Sequence, residues 1–172
     1  DVVHIVPNSR NLPAEFSETR YPIFIEKLGL KENSAGAGYR RGGFGYDKQI
    51  KTLVDARLIS NADRSVLSCY GVYGGKASGP YSVSVLNETG QETRHPGMCD
   101  TVMVQSKDSV RIVTTGGGGW GDPLKREIDK VVYDLQCGLI SEDAAREQYG
   151  VVVHLEGRKW IADKEETSSL RE

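Results

Sequence analysis

The sequence has no long hydrophobic run and no excess of charge of either sign. Its 22 basic and 24 acidic side chains leave a net charge of −2 over 172 residues. This balance provides no basic stripe of the kind that binds nucleic acid. No apolar run approaches the roughly 20 residues that span a membrane, and we expect no signal peptide. We therefore expect a cytoplasmic protein with neither a nucleic-acid nor a membrane partner.

Cysteine and histidine are also scarce. The chain has three widely separated cysteines, Cys69, Cys99 and Cys137. An odd number at such spacing favours reduced thiols over a disulfide framework. The three histidines, at positions 4, 95 and 154, are isolated from other metal-ligating side chains. We predict no metal site in this chain, and a domain of this size needs none for stability, because it buries about 70% of its unfolded surface.

Short β-like runs separated by glycine, proline and Asn/Asp turns dominate residues 1–115. They predict seven strands, at residues 2–6, 22–28, 46–53, 65–73, 81–86, 101–105 and 109–114. The sequence NETG at residues 87–90 predicts a hairpin turn. The predicted class is α+β, with a mainly antiparallel β-sandwich or barrel-like sheet followed by a short two-helix C-terminal segment.

The hydrophobic period changes from two to about 3.6 after Pro123. Apolar residues at positions 128, 131, 132 and 135 predict an amphipathic helix over residues 123–136, capped by Asp122 and ended by Gly138. A second helix is predicted at residues 142–148, with Ser141 as its cap.

A strand is predicted at residues 151–154, and a frayed helix is an option for the polar tail at residues 162–172. Residues 116–172 comprise a Gly-rich turn, the helical segment and this tail. We expect them to form one structural unit with the glycine-rich β domain at residues 1–115.

Residues 116–123 read GGGGWGDP, the densest glycine run of the chain. Its glycines formally match the G-x-G-x-x-G dinucleotide fingerprint. However, Asp122 places a carboxylate where a pyrophosphate would bind, and no strand bearing an acidic ribose ligand follows about 20 residues on. No Gly-Lys-Ser/Thr follows any glycine run, which excludes a Walker A loop. Such a run lets the backbone approach a ligand, a packing contact or a partner surface closely.

Backbone amides in such a loop can stabilise developing negative charge on a substrate oxygen. The candidate catalytic element is accordingly the backbone of Gly116, Gly117, Gly118 and Gly119. Arg40 and Arg41 are candidates for holding a substrate or partner by bidentate hydrogen bonds, with an ion pair to an acidic residue across a turn as the alternative. Trp120 either covers this surface or lies in the core, which is the favoured position.

Three blocks resemble the carboxy-terminal part of the hydantoinase B family, which groups with the oxoprolinase B half and with the large subunits of acetone and acetophenone carboxylases. They are SAGAGYRRGGFG, YGVYGGKASG and SVRIVTTGGGGWGDPLKREIDKVVYDLQCGLISEDAAREQYGVVV. The resemblance covers residues 20–153. Ala35 stands where the family commonly has glycine, SKDS at residues 106–109 replaces a Gly-Asp turn, and Trp120 replaces a common tyrosine; the first two change turn chemistry only.

The resemblance implies an ATP-dependent, multi-subunit enzyme. A hydantoinase A-type partner subunit would bind ATP and Mg and phosphorylate a substrate oxygen. The hydantoinase B-type subunit would complete the reaction beside a divalent metal, zinc or manganese. In the family, the metal ligands lie in the N-terminal part of that subunit, to which this chain has no counterpart. We therefore expect the N-terminal part and the A-type subunit to be partners, and this chain to bind no cofactor.

The resemblance leaves the reaction and the status of the chain open. We expect either a split small subunit or a piece of a longer chain. Ketone carboxylation with bicarbonate is favoured, because those complexes use more polypeptides. Cyclic-amide hydrolysis, of the hydantoinase or 5-oxoprolinase type, is the alternative. A non-catalytic structural or assembly module is the alternative from another class.

Overall fold

The computed structural model describes residues 12–172, so the strand predicted at residues 2–6 lies outside the described part. The elements are α1 Ala14–Arg20, β1 Ile23–Leu30, β2 Tyr46–Thr52, β3 Ala56–Asn61, β4 Ser82–Leu86, β5 Glu92–His95, β6 Met98–Val104, β7 Ser109–Val113, a 3₁₀ helix Pro123–Lys125, α2 Ile128–Gln136, α3 Glu142–Tyr149, β8 Val152–Glu156, β9 Lys159–Asp163 and α4 Lys164–Arg171. They divide into two compact units. The first unit holds the described residues up to 29, residues 46–67 and residues 81–114; the second holds residues 30–45, 68–80 and 115–172.

Apart from α1, the first unit is built from strands. One sheet has the order β1-β2-β7-β4-β5, and β3 pairs with β6 separately. The pairs β2–β7, β4–β7, β4–β5 and β3–β6 are antiparallel. Period-two alternation turns apolar side chains of these strands to one side, where they form a core. Its buried members are Tyr81, Val83, Val85, Val104 and Val110.

The predicted hairpin at residues 87–90 is confirmed. It joins β4 to β5, with the Asn87 N–H donating to the Gln91 carbonyl at 3.1 Å and Gly90 at a φ of 82°. The positive φ is the conformation that a hairpin turn requires and that glycine adopts without steric cost.

The strand predicted at residues 65–73 is wrong, because this segment is irregular in the structure. Its apolar residues mislead, since Val66 and Leu67 are highly exposed. Two strands of the first unit, β3 and β5, were not predicted. The β5 sequence ETRH is polar and exposed, and β3, ARLISN, carries only a half-buried alternation. Neither offers the hydrophobic pattern by which a strand is recognised.

The second unit contains the C-terminal helices, and their start differs from the prediction. Asp122 does cap a helix, because its Oδ1 accepts from the Leu124 N–H at 3.0 Å, but that helix is the 3₁₀ turn. The chain is extended at Arg126 and Glu127, and α2 begins afresh at Ile128. The single helix predicted over residues 123–136 is therefore two elements.

The shorter helix agrees with its prediction. The Ser141 hydroxyl accepts from the Ala144 N–H, and Gly150 ends α3 in the left-handed conformation at a φ of 61°. Helices α2 and α3 bury an apolar cluster with parts of the loops and of β8. Its members include Phe44, Val131, Leu135, Ile140, Ala145, Tyr149, Val151 and Val153.

The predicted α+β class, with mainly antiparallel sheets followed by C-terminal helices, is confirmed. The strand predicted at residues 151–154 is confirmed as β8, and the polar tail contains the helix α4. The strand β9, which pairs with β8, was not predicted. Across residues 12–172, every helix is too short or too polar to cross a membrane.

Candidate functional site: a glycine core and a cationic cleft

Three glycine-rich segments of the second unit bond to one another through their backbones. We call them together the glycine core: residues 34–45, 70–79 and 115–121. The third segment pairs with the first, because the Gly117 N–H donates to the Gly43 carbonyl at 2.9 Å. Trp120 and Arg40 exchange both of their backbone hydrogen bonds, at 2.8 and 3.0 Å.

The second segment completes the glycine core. The Gly119 N–H donates to the Lys76 carbonyl at 3.0 Å, which joins the third segment to the second. The Lys76 N–H donates to the Ala37 carbonyl at 2.7 Å, which joins the second segment to the first. Each segment thus bonds to both of the others, so the buried peptide groups find partners without forming a regular sheet.

Glycine is required here because the backbones approach more closely than a side chain allows. A Cβ at Gly38 would lie 2.7 Å from the Trp120 nitrogen, and one at Gly118 would overlap the Tyr70 carbonyl. By contrast, a Cβ at Gly29, in β1, would meet no atom within 4 Å. The glycines at 38 and 118 are therefore packing positions, at which backbone takes the place of a side chain.

The glycine run at residues 116–119 was singled out for its backbone amides. Two of them, at Gly117 and Gly119, already donate to carbonyls of the glycine core. Within residues 12–172, Gly116 and Gly118 are the members of the run whose N–H groups form no hydrogen bond. A role of this run in stabilising substrate charge stays a prediction.

Trp120 is not in a core. Its side chain is 48% exposed and packs edge-on against two tyrosines, with ring centroids 6.4 Å from Tyr39 and 5.9 Å from Tyr73. The favoured sequence interpretation is therefore wrong for this chain. The ring remains a candidate contact residue.

The two arginines singled out from the sequence have different environments. Arg41 donates from Nε and Nη2 to both carboxylate oxygens of Asp134, at 2.9 and 3.2 Å, and its guanidinium lies 4.5 Å from the Phe44 ring centroid. Its partner is acidic, as one alternative held, but lies 93 residues away on α2 rather than across a turn. Arg40 is exposed, and its side chain forms no hydrogen bond or ion pair within residues 12–172.

Asp134 holds a second guanidinium as well. Arg126 Nη2 donates to its Oδ2 at 2.8 Å. The carboxylate is 2% exposed, and the side chains of Arg41 and Arg126 are 19% and 9% exposed. Because the pairing is charge-assisted and shielded from water, it fixes the orientation of both guanidinium groups.

A cleft of about 270 Å³ opens beside this ion-pair group. We call it the cationic cleft, and its lining residues are Tyr39, Arg40, Arg41, Arg126 and Lys130. Lys130 also pairs with Glu127 at 2.7 Å, but both side chains are well exposed. Four of the five lining residues carry a positive charge and none carries a negative one.

Sequence reasoning identified Arg40 and Arg41 but missed Arg126, Lys130 and Asp134. A signal existed, since residues 126, 130 and 134 are spaced by four and α2 places positions 130 and 134 on one face. What the spacing does not show is that the first segment of the glycine core lies against that face.

The described residues do not offer a metal site. Residues 12–172 contain no group of three or more His, Cys, Asp or Glu side chains that could hold a metal ion. The divalent metal implied by the resemblance therefore has no fitting set of ligands among them. The cysteines at 69, 99 and 137 are free thiols.

Comparison with known proteins decides the family. Residues 1–123 match the hydantoinase B/oxoprolinase family. The chain is 37% identical over 161 residues to an uncharacterized protein of Methanocaldococcus jannaschii, covering 94% of this chain and 28% of that protein. The chain belongs to the hydantoinase B/oxoprolinase family. Its resemblance to that family is thereby confirmed.

A second relative and two solved structures extend the comparison. The chain is 32% identical to the putative B-type subunit of a D-/L-hydantoinase from a Pseudomonas species, over 85% of this chain and 25% of that protein. A crystal structure of the ATP-dependent caprolactamase from Pseudomonas jessenii matches 92% of this chain and 28% of its own, with 29% identity and a TM-score of 0.77. A nucleotide-free acetone carboxylase matches 96% of this chain and 26% of its own, with 24% identity and a TM-score of 0.85.

The chain thus spans about a quarter of the length of these curated relatives. The likeness to acetone carboxylase is one of fold, because the identity is low.

Proposed function

We propose that this chain is part of an ATP-dependent enzyme that opens cyclic amides. The observation that carries the proposal is the 32% identity, over 85% of the chain, to a protein named as the B-type subunit of a hydantoinase. The 29% identity to an ATP-dependent caprolactamase supports it, since caprolactam is also a cyclic amide. An ATP-binding subunit of the hydantoinase A type would be the partner that activates the substrate.

Ketone carboxylation, which the sequence analysis favours, is the alternative. Its support is the TM-score of 0.85 to acetone carboxylase, at 24% identity. A fold can host more than one reaction, so this similarity carries less weight than the named relatives of higher identity.

Within the enzyme, we propose that the glycine core of this chain acts as a scaffold. The amides of Gly117 and Gly119 are consumed by internal hydrogen bonds, and a Cβ at Gly118 would overlap backbone. We expect the nucleotide and the metal to be held by other parts of the enzyme. The support for this is the lack of a metal-ligand group within residues 12–172.

Assays of the complete enzyme separate the two reactions. The purified complex would be given ATP and Mg with hydantoin, 5-oxoproline or caprolactam, and in parallel with acetone or acetophenone plus bicarbonate. The proposal expects a ring-opened acid to form only when ATP is hydrolysed, with no requirement for bicarbonate. Bicarbonate-dependent carboxylation of a ketone, without opening of any cyclic amide, would contradict it.

A further inference from the structure

At Arg40 and Lys130 the cationic cleft carries positive charge that no buried ion pair among residues 12–172 neutralises. Arg41 and Arg126 both pair with the carboxylate of Asp134. The charge of Lys130 is paired only with Glu127, and that ion pair is exposed to solvent. Such a pair contributes little to stability, so the Lys130 ammonium group can turn towards a ligand. Arg40 has no counter-ion within residues 12–172.

The cleft is also pre-organised. Hydrogen bonds to the Asp134 carboxylate fix the orientation of the Arg41 and Arg126 guanidinium groups. The backbone of Arg40 is held by two hydrogen bonds to Trp120 in the glycine core, so its side chain starts from a rigid base. Groups that are already ordered lose little entropy when they bind a ligand.

One buried donor of the cleft, Arg126 Nε, has no hydrogen-bond partner among residues 12–172. Arg126 is 7% exposed, and its Nε forms no hydrogen bond within the described part of the chain. Buried polar nitrogens are almost always hydrogen-bonded, and an unsatisfied one is an indication of a missing ligand or water.

We propose that the cationic cleft binds a small oxyanion, a phosphate or carboxylate group, through Arg40, Arg126 and Lys130. Guanidinium and ammonium groups are the donors that such anions prefer. The volume of about 270 Å³ exceeds that of one water molecule, about 30 Å³, several-fold, so an anionic group fits with its remaining hydration. This inference goes beyond the proposed cyclic-amide reaction and does not depend on it.

Calorimetric titration of the complete enzyme with inorganic phosphate, at constant ionic strength set by chloride, tests the proposal without turnover. We expect saturable binding, weakened at least about tenfold by Arg40→Gln and again by Lys130→Gln, because each substitution removes a charge-assisted hydrogen bond. The matched control is Arg94→Gln, since Arg94 is exposed on β5 and forms no side-chain ion pair within residues 12–172. It should leave the dissociation constant unchanged.

A competition arm with acetate identifies the kind of ligand. Displacement of phosphate by acetate would indicate a carboxylate-bearing ligand, and its failure a phosphoryl ligand; either supports an oxyanion site. The proposal is overturned if phosphate does not saturate the protein, as when an acidic side chain from elsewhere in the enzyme fills the cleft. Equal weakening by Arg40→Gln and Arg94→Gln would also overturn it.

Discussion

The two units are stabilised in different ways. In the first, side chains from period-two strands make the core, as Val83, Val85 and Val110 do. In the second, the glycine core brings three backbone segments together at positions where any side chain would collide, as at Gly38 and Gly118. The comparison shows that glycine-rich sequence need not mean a flexible loop, because the absence of a side chain can itself be the packing requirement.

Each unit also contains a buried aspartate held between two cations. Asp47 of the first unit accepts from Arg111 at 2.9 and 2.8 Å and from Lys27 at 2.7 Å. Asp134 of the second accepts from Arg41 and Arg126. The partners of Asp134 are largely shielded, whereas Lys27 is 53% exposed. Loss of the carboxylate therefore leaves more desolvated charge in the second unit than in the first.

The largest expected effect comes from Gly118→Ala. The new methyl group overlaps the Tyr70 carbonyl, so the glycine core must separate, and we expect a loss of about 4–5 kcal/mol or more in the free energy of unfolding. Chemical denaturation followed by circular dichroism measures this. The matched control is Gly29→Ala, where the methyl group meets nothing within 4 Å and the change should stay below about 1 kcal/mol. Similar losses in both variants would remove the distinction between the units.

Asp134→Ala should cause the second-largest loss in the free energy of unfolding. It removes the carboxylate that the guanidinium groups of Arg41 and Arg126 share, which costs about 3–5 kcal/mol in a buried setting. Asp47→Ala, compared in the same denaturation experiment, should cost less because Lys27 can turn to water. A larger loss of unfolding free energy for Asp47→Ala than for Asp134→Ala would contradict the expected difference between the two units.

The pH dependence of the free energy of unfolding should show how much the ionised Asp47 carboxylate stabilises the fold. Hydrogen bonds from Arg111 hold the pKa of the Asp47 carboxyl well below its ordinary value. A carboxyl with a lowered folded-state pKa stabilises the fold fully above its unfolded pKa, about 3.9, and the stabilisation is lost as the pH falls below that value. Unfolding free energies measured from pH 6 to pH 2 should fall less steeply for Asp47→Asn than for the wild type. Identical slopes would show that this ion pair contributes nothing to acid sensitivity.

The smallest effects concern helix caps. Asp122→Ala removes the acceptor of the Leu124 N–H, and Ser141→Ala removes the acceptor of the Ala144 N–H and of the exposed Asn33 side-chain amide; each should cost about 1 kcal/mol. Thermal unfolding of both variants checks this. Asp122 caps only a 3₁₀ turn, so the activity of the enzyme at low temperature should be retained. Complete loss of activity in folded Asp122→Ala would give Asp122 a role that its contacts do not suggest.

Local patterns predicted much of the fold. The alternation in β4 and β7, the NETG turn and the Ser141 cap all act over a few residues, so the sequence alone indicates them. The exposed strand β5 and the break at Arg126 depend on tertiary partners and have no local pattern. The candidate site divides in the same way: the glycine run is visible in the sequence, but its contact with the backbone of Tyr70 is set by the folded chain.

The pairing of Arg41 with Asp134 is a further contact that the sequence alone does not identify. An acidic partner for an arginine in a glycine-rich segment is a reasonable expectation, but 93 residues separate the two. Many acidic residues are available along the chain, and only the packing of α2 selects this one.

Hydrogen exchange tests the central claim, that the glycine core is a rigid scaffold, most directly. Residue-resolved exchange on the enzyme would compare the amides of Gly117, Gly119 and Trp120 with those of β7 and with the exposed turn amide of Glu88. The scaffold account predicts that the three amides of the glycine core exchange as slowly as β7, because each donates to a carbonyl within the core. Exchange as fast as that of Glu88 would contradict it and would make the glycine run a mobile loop.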